Sequence, residues 1–525
     1  MNQPLATFLF LLAAVSPHAA LEAARPQRPN IVIILADDLG YGDVGCYHAE
    51  SKVPTPNLDR LAREGMRFTD AHAASTVCTP SRYSLMTGRM CFRTGYRGGV
   101  FTGAGGPSLI EKERVTLPGM LREQGYATGC VGKWHIGMTF HTQDGKPVHA
   151  VNVDGDAREQ ARVKLIDFTK SITDGPVHRG FDSFFGTACC PGTDWLYAFI
   201  ENDRVPVPPD HLLDASTLPK HAYAIDCRRG WIAPGFDHEM LDLVFLEKSK
   251  AWLEQQVQHE PKKPFFLYHA MQAVHLPSFA APQFKGKSKA GPHGDFIAEL
   301  DFIVGELMAT LQRLGVADNT LIFFSSDNGP ETTSVVHMRA DFAHDAARPW
   351  RGMKRDDWEG GHRVPLIASW PGQIKPGVSD ATVCLTDLMA TCAAITAAEL
   401  PANATEDSFS FLPALIGAPS QSPQRDFTLH QTISLAMAIR RGEWKYLDHR
   451  GSGGNRYEKG ELVPYALADS APEAPGQLYN LKTDPGETTN LYFKHPEIVK
   501  ELKALLDASK AAGRTTPKDS SKPQP

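Results

Sequence analysis

The sequence predicts an α/β fold: a large, mostly parallel sheet flanked by helices, with a smaller C-terminal α+β subdomain. Three observations lead there. Residues 31–36, 265–268 and 321–324 are continuous apolar runs rather than alternating ones, as strands buried on both faces must be. Helical periodicity fills the stretches between such runs. A Pro- and Ser-rich segment, 401–424, then interrupts the pattern before short strands resume.

The elements follow in order. After the first strand, Thr55-Pro56 reads as an N-cap with proline in the first turn, Leu58, Leu61 and Ala62 share one face, and Gly65 ends the helix. A longer helix is expected over 295–314, with Leu300, Ile303, Leu307 and Leu311 on one side and Gly315 as its stop. It joins the strand at 265 to the strand at 321, a βαβ arrangement. Beyond the linker, 436–446 and 477–481 read as strands and 496–509 as an amphipathic helix. The expected organisation is therefore a leader over 1–24, a large α/β domain over 25–424, a small α+β subdomain over 425–511, and a disordered Lys-, Ser- and Pro-rich tail over 512–525.

The leader is inferred from residues 5–15, apolar but for Thr7, followed by Ser16-Pro17-His18 and small residues. Such a run is too short for a bilayer core, which needs about 20 residues. It reads as a secretory signal peptide cleaved between Ala19 and Ala24, so the mature chain is expected to be secreted or periplasmic. No later stretch reads as a membrane span. With 54 Lys+Arg against 60 Asp+Glu, a net charge of −6 argues against nucleic acid as a partner. The nine cysteines contain no C-x-x-C spacing, which disfavours zinc-ribbon and thioredoxin-type sites.

Ligands of open α/β sheets bind beyond the carboxyl ends of the strands. Two predicted strands end there in oxygen donors, one in Asp37-Asp38 and the other in Asp327-Asn328-Gly329. Three carboxylates and an amide oxygen suit a hard cation such as Ca²⁺ or Mg²⁺. Either motif alone is more often a turn or a helix cap. A third motif, Cys78-Thr79-Pro80-Ser81-Arg82, places Cys78 at a predicted helix N-terminus, where free N–H groups and the helix dipole favour an anion. A buried structural cysteine beside a helix start is the competing reading.

This segment, within 75–89 (STVCTPSRYSLMTGR), resembles the sulfatase signature C-x-P-S-R. Further segments are similar to that family in the same order: 30–42 (NIVIILADDLGYG), 55–65, 125–137 (GYATGCVGKWHIG), 265–277, 323–330, 351–365 (RGMKRDDWEGGHRVP) and 478–491. The resemblance implies a sulfuric ester hydrolase whose Cys78 is oxidised to formylglycine by a separate formylglycine-generating maturation enzyme. It implies that Asp37, Asp38, Asp327 and Asn328 hold Ca²⁺ together with the modified Cys78. Arg82 would orient the formylglycine, Lys133 and Lys354 would grip sulfate oxygens, and His135 and His275 would move protons. One departure stands out: Arg355-Asp356-Asp357 follows Lys354 where the family has small and hydroxyl residues, putting two carboxylates near a sulfate-binding lysine. A phosphoester or phosphonate ester hydrolase of the same superfamily, and a non-catalytic binder of sulfated glycans, are the alternatives.

Specificity is expected from segments outside these motifs. Residues 94–112 are Gly-rich, and 189–231 supply Trp195, Tyr197, Phe199, His211, Tyr223, Arg228 and Arg229. Aromatic faces beside cations suit a sulfated carbohydrate substrate. The alternative is that these aromatics simply pack the loop onto the domain.

Overall fold

The structure, a computed structural model, describes residues 28–517 apart from 154, 156, 402 and 419–423. The expected leader, 1–24, lies outside the described residues. The expected tail is described as far as 517, where the N–H groups of Thr515 and Thr516 donate to the Glu406 carbonyl at 2.9 and 3.1 Å.

The strands of the large sheet, in chain order, are β1 (Asn30–Ala36), β2 (Met66–Phe68), β3 (Ala127–Lys133), β4 (Ser183–Thr187), β5 (Ile200–Glu201), β6 (Phe265–Ala270), β7 (Thr320–Ser326), β8 (Leu366–Ser369) and β9 (Gly377–Ser379). Their spatial order is β9-β2-β8-β7-β1-β6-β3-β4-β5. The inner five, from β7 to β4, run parallel, and antiparallel pairs join β8 to β7 and β5 to β4. β1 is central, and its alternate residues feed two cores: Ile31, Ile33 and Leu35 on one face, Val32, Ile34 and Ala36 on the other. Burial on both faces is why these strands read as unbroken apolar runs.

Helix α1 (Pro56–Glu64) buries Leu58, Leu61 and Ala62 as expected. Its cap differs. The Asp301 carboxylate accepts the N–H groups of Asn57 and Leu58, while the Thr55 hydroxyl accepts from Gly45. Next come α2 (Cys78–Thr87), α3 (Leu241–His259) and α4 (Gly291–Arg313). The predicted 295–314 helix starts earlier, at Gly291, because Pro292 is accommodated in its first turn. It does connect β6 to β7, but β1 lies between those two strands.

The C-terminal subdomain is an antiparallel sheet of β10 (Phe427–Gln431), β11 (Met437–Arg441), β12 (Trp444–Leu447) and β13 (Gln477–Asn480), in that order. The expected single strand over 436–446 is two strands of a hairpin, turned at Gly442 with φ 57°. Glycine adopts that left-handed conformation without steric cost. Val499, Leu502 and Leu506 of α5 (Pro496–Ala511) pack with Leu429, Ile439 and Leu478 of this sheet.

Charged side chains, not apolar ones, occupy part of the junction with the large domain. Lys445 lies 3.0 Å from Glu359 and 3.1 Å from Glu487, and Arg363 lies 3.0 Å from Glu359. Arg363 and Arg440 both pair with Asp70. His72, His362 and His430, all fully buried, fill the space between, the last two stacked at 3.6 Å.

Candidate active site

The parallel register of β1 and β7 sets Ala36 opposite Ser326, so the residues that follow each strand emerge side by side. These are Asp37-Asp38 and Asp327-Asn328, all fully buried. The Asn328 amide donates to Asp38 Oδ1 at 2.7 Å, and the Asp38 N–H donates to Asp327 Oδ1 at 3.3 Å. Beyond β6 the chain keeps pairing with β1, the Asp37 N–H donating to the Ala273 carbonyl and the Val274 N–H to the Asp37 carbonyl. This brings His275 Nε2 to 3.7 Å from Asp38 Oδ2.

β3 delivers Lys133 at its last position and His135 just beyond, held by N–H bonds from Trp134 and His135 to the carbonyls of Thr187 and Ala188. Cys78 is the first residue of α2, every residue of which is buried. Arg82, one turn on, ties the floor together. Its Nε donates to Asp327 Oδ2 at 2.8 Å, its Nη1 donates to the Lys133 carbonyl at 3.0 Å, and its Nη2 lies 3.6 Å from Asp37.

The two lysines meet separate carboxylates. Lys133 Nζ donates to Asp37, and Lys354 Nζ donates to Asp38 at 2.7 Å and lies 3.3 Å from Glu331. Three non-glycine residues here have left-handed backbones: Asp38 (φ 62°), His135 (φ 58°) and Arg355 (φ 81°). Such strain gathers where side chains must be aimed.

Crowding and burial set the charge states of the site. Burial and the charge of Asp37 push Asp327 up to about 8, and burial also raises Asp38 against the pull of Lys354 and His275. Burial would raise Asp37 too, but Lys133, His275 and Arg82 together hold it below the usual carboxylate range. The Cys78 thiol is held well below its ordinary value by its hydrogen bond with Cys190 and then, against burial, by Lys133 and His135. Ligand atoms of Asp37, Cys78 and Asp327 lie within 4.8 Å of one another, and Asp37 Oδ1 and Asn328 Oδ1 are buried without a hydrogen-bond partner. Buried acceptor oxygens facing crowded carboxylates fit a hard divalent ion bound through oxygen.

The sulfatase family model matches residues 29–398, most of the chain. The chain belongs to the sulfatase family. It is 33% identical to an N-acetylgalactosamine-6-O-sulfatase of Bacteroides thetaiotaomicron over 508 residues, covering 92% of this chain and 93% of that one. It is 34% identical to human arylsulfatase A over 511 residues, covering 93% and 88% of the two. A solved Bacteroides thetaiotaomicron structure, described under the metabolism of multiple glycosaminoglycans, superposes with a TM-score of 0.77 at 32% identity, covering 93% of this chain and 100% of that chain. As a sulfatase the protein is a sulfuric ester hydrolase.

The structure gathers all ten residues singled out in this sulfatase's sequence: Asp37, Asp38, Cys78, Arg82, Lys133, His135, His275, Asp327, Asn328 and Lys354. Two others were not singled out. Glu331 shares Lys354 with Asp38 and accepts both arms of the Arg355 guanidinium, at 2.7 and 3.0 Å. An acid two residues past Asn328-Gly329 was visible, but nothing in the sequence showed its aim. Cys190 lies 3.9 Å from His135 Nδ1 and from His275 Nε2, and no motif marks it.

The expected crowding of Lys354 by Asp356 and Asp357 does not occur. Asp356 turns to Tyr457 (2.6 Å) and Asn455 (2.8 Å), and Asp357 turns to His449 (3.1 Å), so both carboxylates anchor the C-terminal subdomain. In the 189–231 segment, Tyr197 and Tyr223 are fully buried and pack the loop, with Tyr197 against His238 and Tyr223 against His293. Trp195 is half-buried beneath the Arg228 guanidinium, 5.9 Å from its ring, and Arg229 is exposed.

Proposed function

We propose that this sulfatase removes sulfate from sulfated carbohydrates, with Cys78 converted to formylglycine and Ca²⁺ bound by Asp37, Asp38, Asp327 and Asn328. The observation that carries this reading is the convergence of Asp37, Asp327 and the first residue of α2 around buried oxygens with no partner. Ca²⁺ there would neutralise sulfate oxygens and so ease attack on sulfur. A hydrated aldehyde at residue 78 would supply a nucleophilic hydroxyl and, on the same carbon, a second hydroxyl through which sulfate could be released.

The chain's own residues divide the remaining work. Lys133 and Lys354, each within reach of a site carboxylate, provide positive charge against the sulfate oxygens. Arg82 fixes Asp327 and the Lys133 backbone, and thereby the base of the site. His275 donates Nδ1–H to the Leu276 carbonyl at 2.6 Å, which leaves Nε2 facing the site to pass a proton to the leaving alcohol. His135 donates Nε2–H to the Phe101 carbonyl at 2.8 Å, which leaves Nδ1 to take the proton that accompanies sulfate release. The matched relatives named for N-acetylgalactosamine sulfate support a carbohydrate substrate. So does the path of residues 190–195 from Cys190 beside both histidines to Trp195 under Arg228. The expected leader places the enzyme, and the maturation enzyme that acts on it, on the export route.

The test is a substrate panel. Protein co-expressed with a formylglycine-generating enzyme is assayed for sulfate release from defined sulfated sugars, including 6-sulfated N-acetylgalactosamine, beside the matching phosphate and phosphonate esters. Sulfate release should dominate, vanish on chelation and return with Ca²⁺. Faster cleavage of the phosphorus esters, or full activity in chelator, would overturn the reading.

A further inference from the structure

We propose that in chains whose residue 78 is still cysteine, Cys78, Cys190, His135 and His275 form a binding site for a soft divalent metal ion of the zinc type. This site adjoins the oxygen-lined calcium site: Cys78 borders both, and His275 lies 3.7 Å from Asp38. It depends only on the thiol, and not on what the converted enzyme hydrolyses.

The distances come first. The ligand atoms of Cys78, His135 and Cys190 lie within 4.8 Å of one another, and Cys190 Sγ is 3.9 Å from both His135 Nδ1 and His275 Nε2. Tetrahedral zinc, with bonds of about 2.3 Å to sulfur and about 2.0–2.1 Å to nitrogen, sets sulfur and nitrogen about 3.6 Å apart and two sulfurs about 3.8 Å apart. Side-chain shifts of a few tenths of an ångström close the difference between Cys190 and each histidine, while His275, outside the mutual grouping of the other three, must swing further to complete the set.

Tautomers come second. A metal-bound histidine characteristically donates its other ring N–H to a fixed acceptor. Both histidines do so, His135 through Nε2 to the Phe101 carbonyl and His275 through Nδ1 to the Leu276 carbonyl. Each therefore turns its other ring nitrogen toward Cys190.

Charge and access are also favourable. The nearby cations already have partners, Lys133 in Asp37 and Arg82 in Asp327, so two thiolates can balance a divalent ion. The two thiol protons pass to solvent as the metal–sulfur bonds form. Cys190 and His275 retain 6% and 7% exposure and are the open side of the cluster. Soft sulfur and imidazole donors select zinc-like ions over calcium.

The other buried histidine cluster, His72–His362–His430, lacks this geometry. His362 and His430 stack nearly parallel, with 11° between ring planes, so their in-plane lone pairs cannot meet at one ion, and Lys445 Nζ is 3.0 Å from His362 Nε2.

A consequence follows for the enzyme. The aldehyde form of residue 78 has no sulfur, so metal capture and maturation are mutually exclusive at this position.

The experiment uses the full chain expressed without a maturation enzyme, its intact mass confirming cysteine at 78, kept reduced with a phosphine. Cobalt(II) serves as the spectroscopic probe and zinc as competitor. One cobalt per chain should bind with a near-ultraviolet thiolate-to-metal band that zinc abolishes. Cys190→Ser and Cys78→Ser should each weaken the band and lower affinity at least about tenfold. Cys46→Ser, remote from the site, should leave both unchanged, and fully converted protein should show no band. Absence of the band, or a band indifferent to both Cys190→Ser and Cys78→Ser, would overturn the proposal.

Discussion

Two of the buried charged clusters among the described residues differ in what their charges face. At the domain junction, Asp70, Glu359 and Glu487 meet Arg363, Arg440 and Lys445, which lie on both sides of the boundary, so the pairs join the two domains. At the strand ends, Asp37, Asp38 and Asp327 crowd one another. They leave Asp37 Oδ1 and Asn328 Oδ1 without partners, and Asp327 is pushed up to about 8. At the junction, Lys445 lies against the buried oxygens Glu359 Oε1 and Glu487 Oε1 as a cation shared between the domains. At the strand ends Lys133, Lys354 and Arg82 donate to Asp37, Asp38 and Asp327 in turn, and Asp37 Oδ1 and Asn328 Oδ1 still lack a partner, which is the arrangement of a working site rather than of a structural ion network. One segment serves both: within 351–365, Lys354 enters the site while Glu359 and Arg363 enter the junction. The subdomain also reaches the site directly, since the Asn455 amide donates to the Lys354 carbonyl at 2.8 Å.

If the contrast is right, substitutions at the strand ends should cost activity and those at the junction should cost stability. The largest activity loss short of removing the nucleophile is expected from His275→Ala. Hydrolysis of a sugar sulfate should fall about 10²- to 10⁴-fold, and that of an activated aryl sulfate much less, as a leaving-group series would show. Equal losses across the series would remove His275 as the proton donor. Asp37→Asn should lower turnover about 10²- to 10³-fold together with calcium content, while the urea midpoint moves little.

Lys445→Met should do the reverse. It leaves Glu359 and Glu487 buried without their shared cation, and unfolding in urea should show a loss of about 3–5 kcal/mol. The turnover of molecules that remain folded should change by less than about tenfold. A variant pair in which Asp37→Asn unfolds the protein and Lys445→Met spares it would dissolve the distinction. The smallest effect is expected at the exposed Arg229. Arg229→Ala should raise KM for a sulfated oligosaccharide only about two- to fivefold and leave a small aryl sulfate unchanged, as steady-state kinetics on both would reveal.

The same contrast explains what could be read from the sequence. The site lies at the ends of apolar runs, in short contiguous motifs, because strand register alone places Asp37-Asp38 beside Asp327-Asn328. The family resemblance supplied the remaining positions, and the fold gathers them. Cys190 escaped notice because it lies 112 residues after Cys78 and carries no local pattern; only the pairing of β3 with β4 brings its loop beside His135. The junction was illegible for the same reason. Asp70, Glu359, Arg440, Lys445 and Glu487 look like ordinary surface charges until two domains close over them. The carboxylates of Asp356 and Asp357 were legible as residues but not as directions: adjacency to Lys354 suggested interference, whereas their side chains point into the subdomain. Tyr197 and Tyr223 likewise had the composition of a sugar platform and serve as packing.

The central claim is that Cys78, once oxidised, is the nucleophile. Preparations co-expressed with graded amounts of maturation enzyme would contain different fractions of aldehyde at residue 78, measured by mass spectrometry of the Cys78 peptide and by hydrazide labelling. Sulfate release per mole of protein should rise in proportion to that fraction and extrapolate to zero when none is present. Undiminished sulfate release from protein carrying only cysteine at residue 78 would contradict the account.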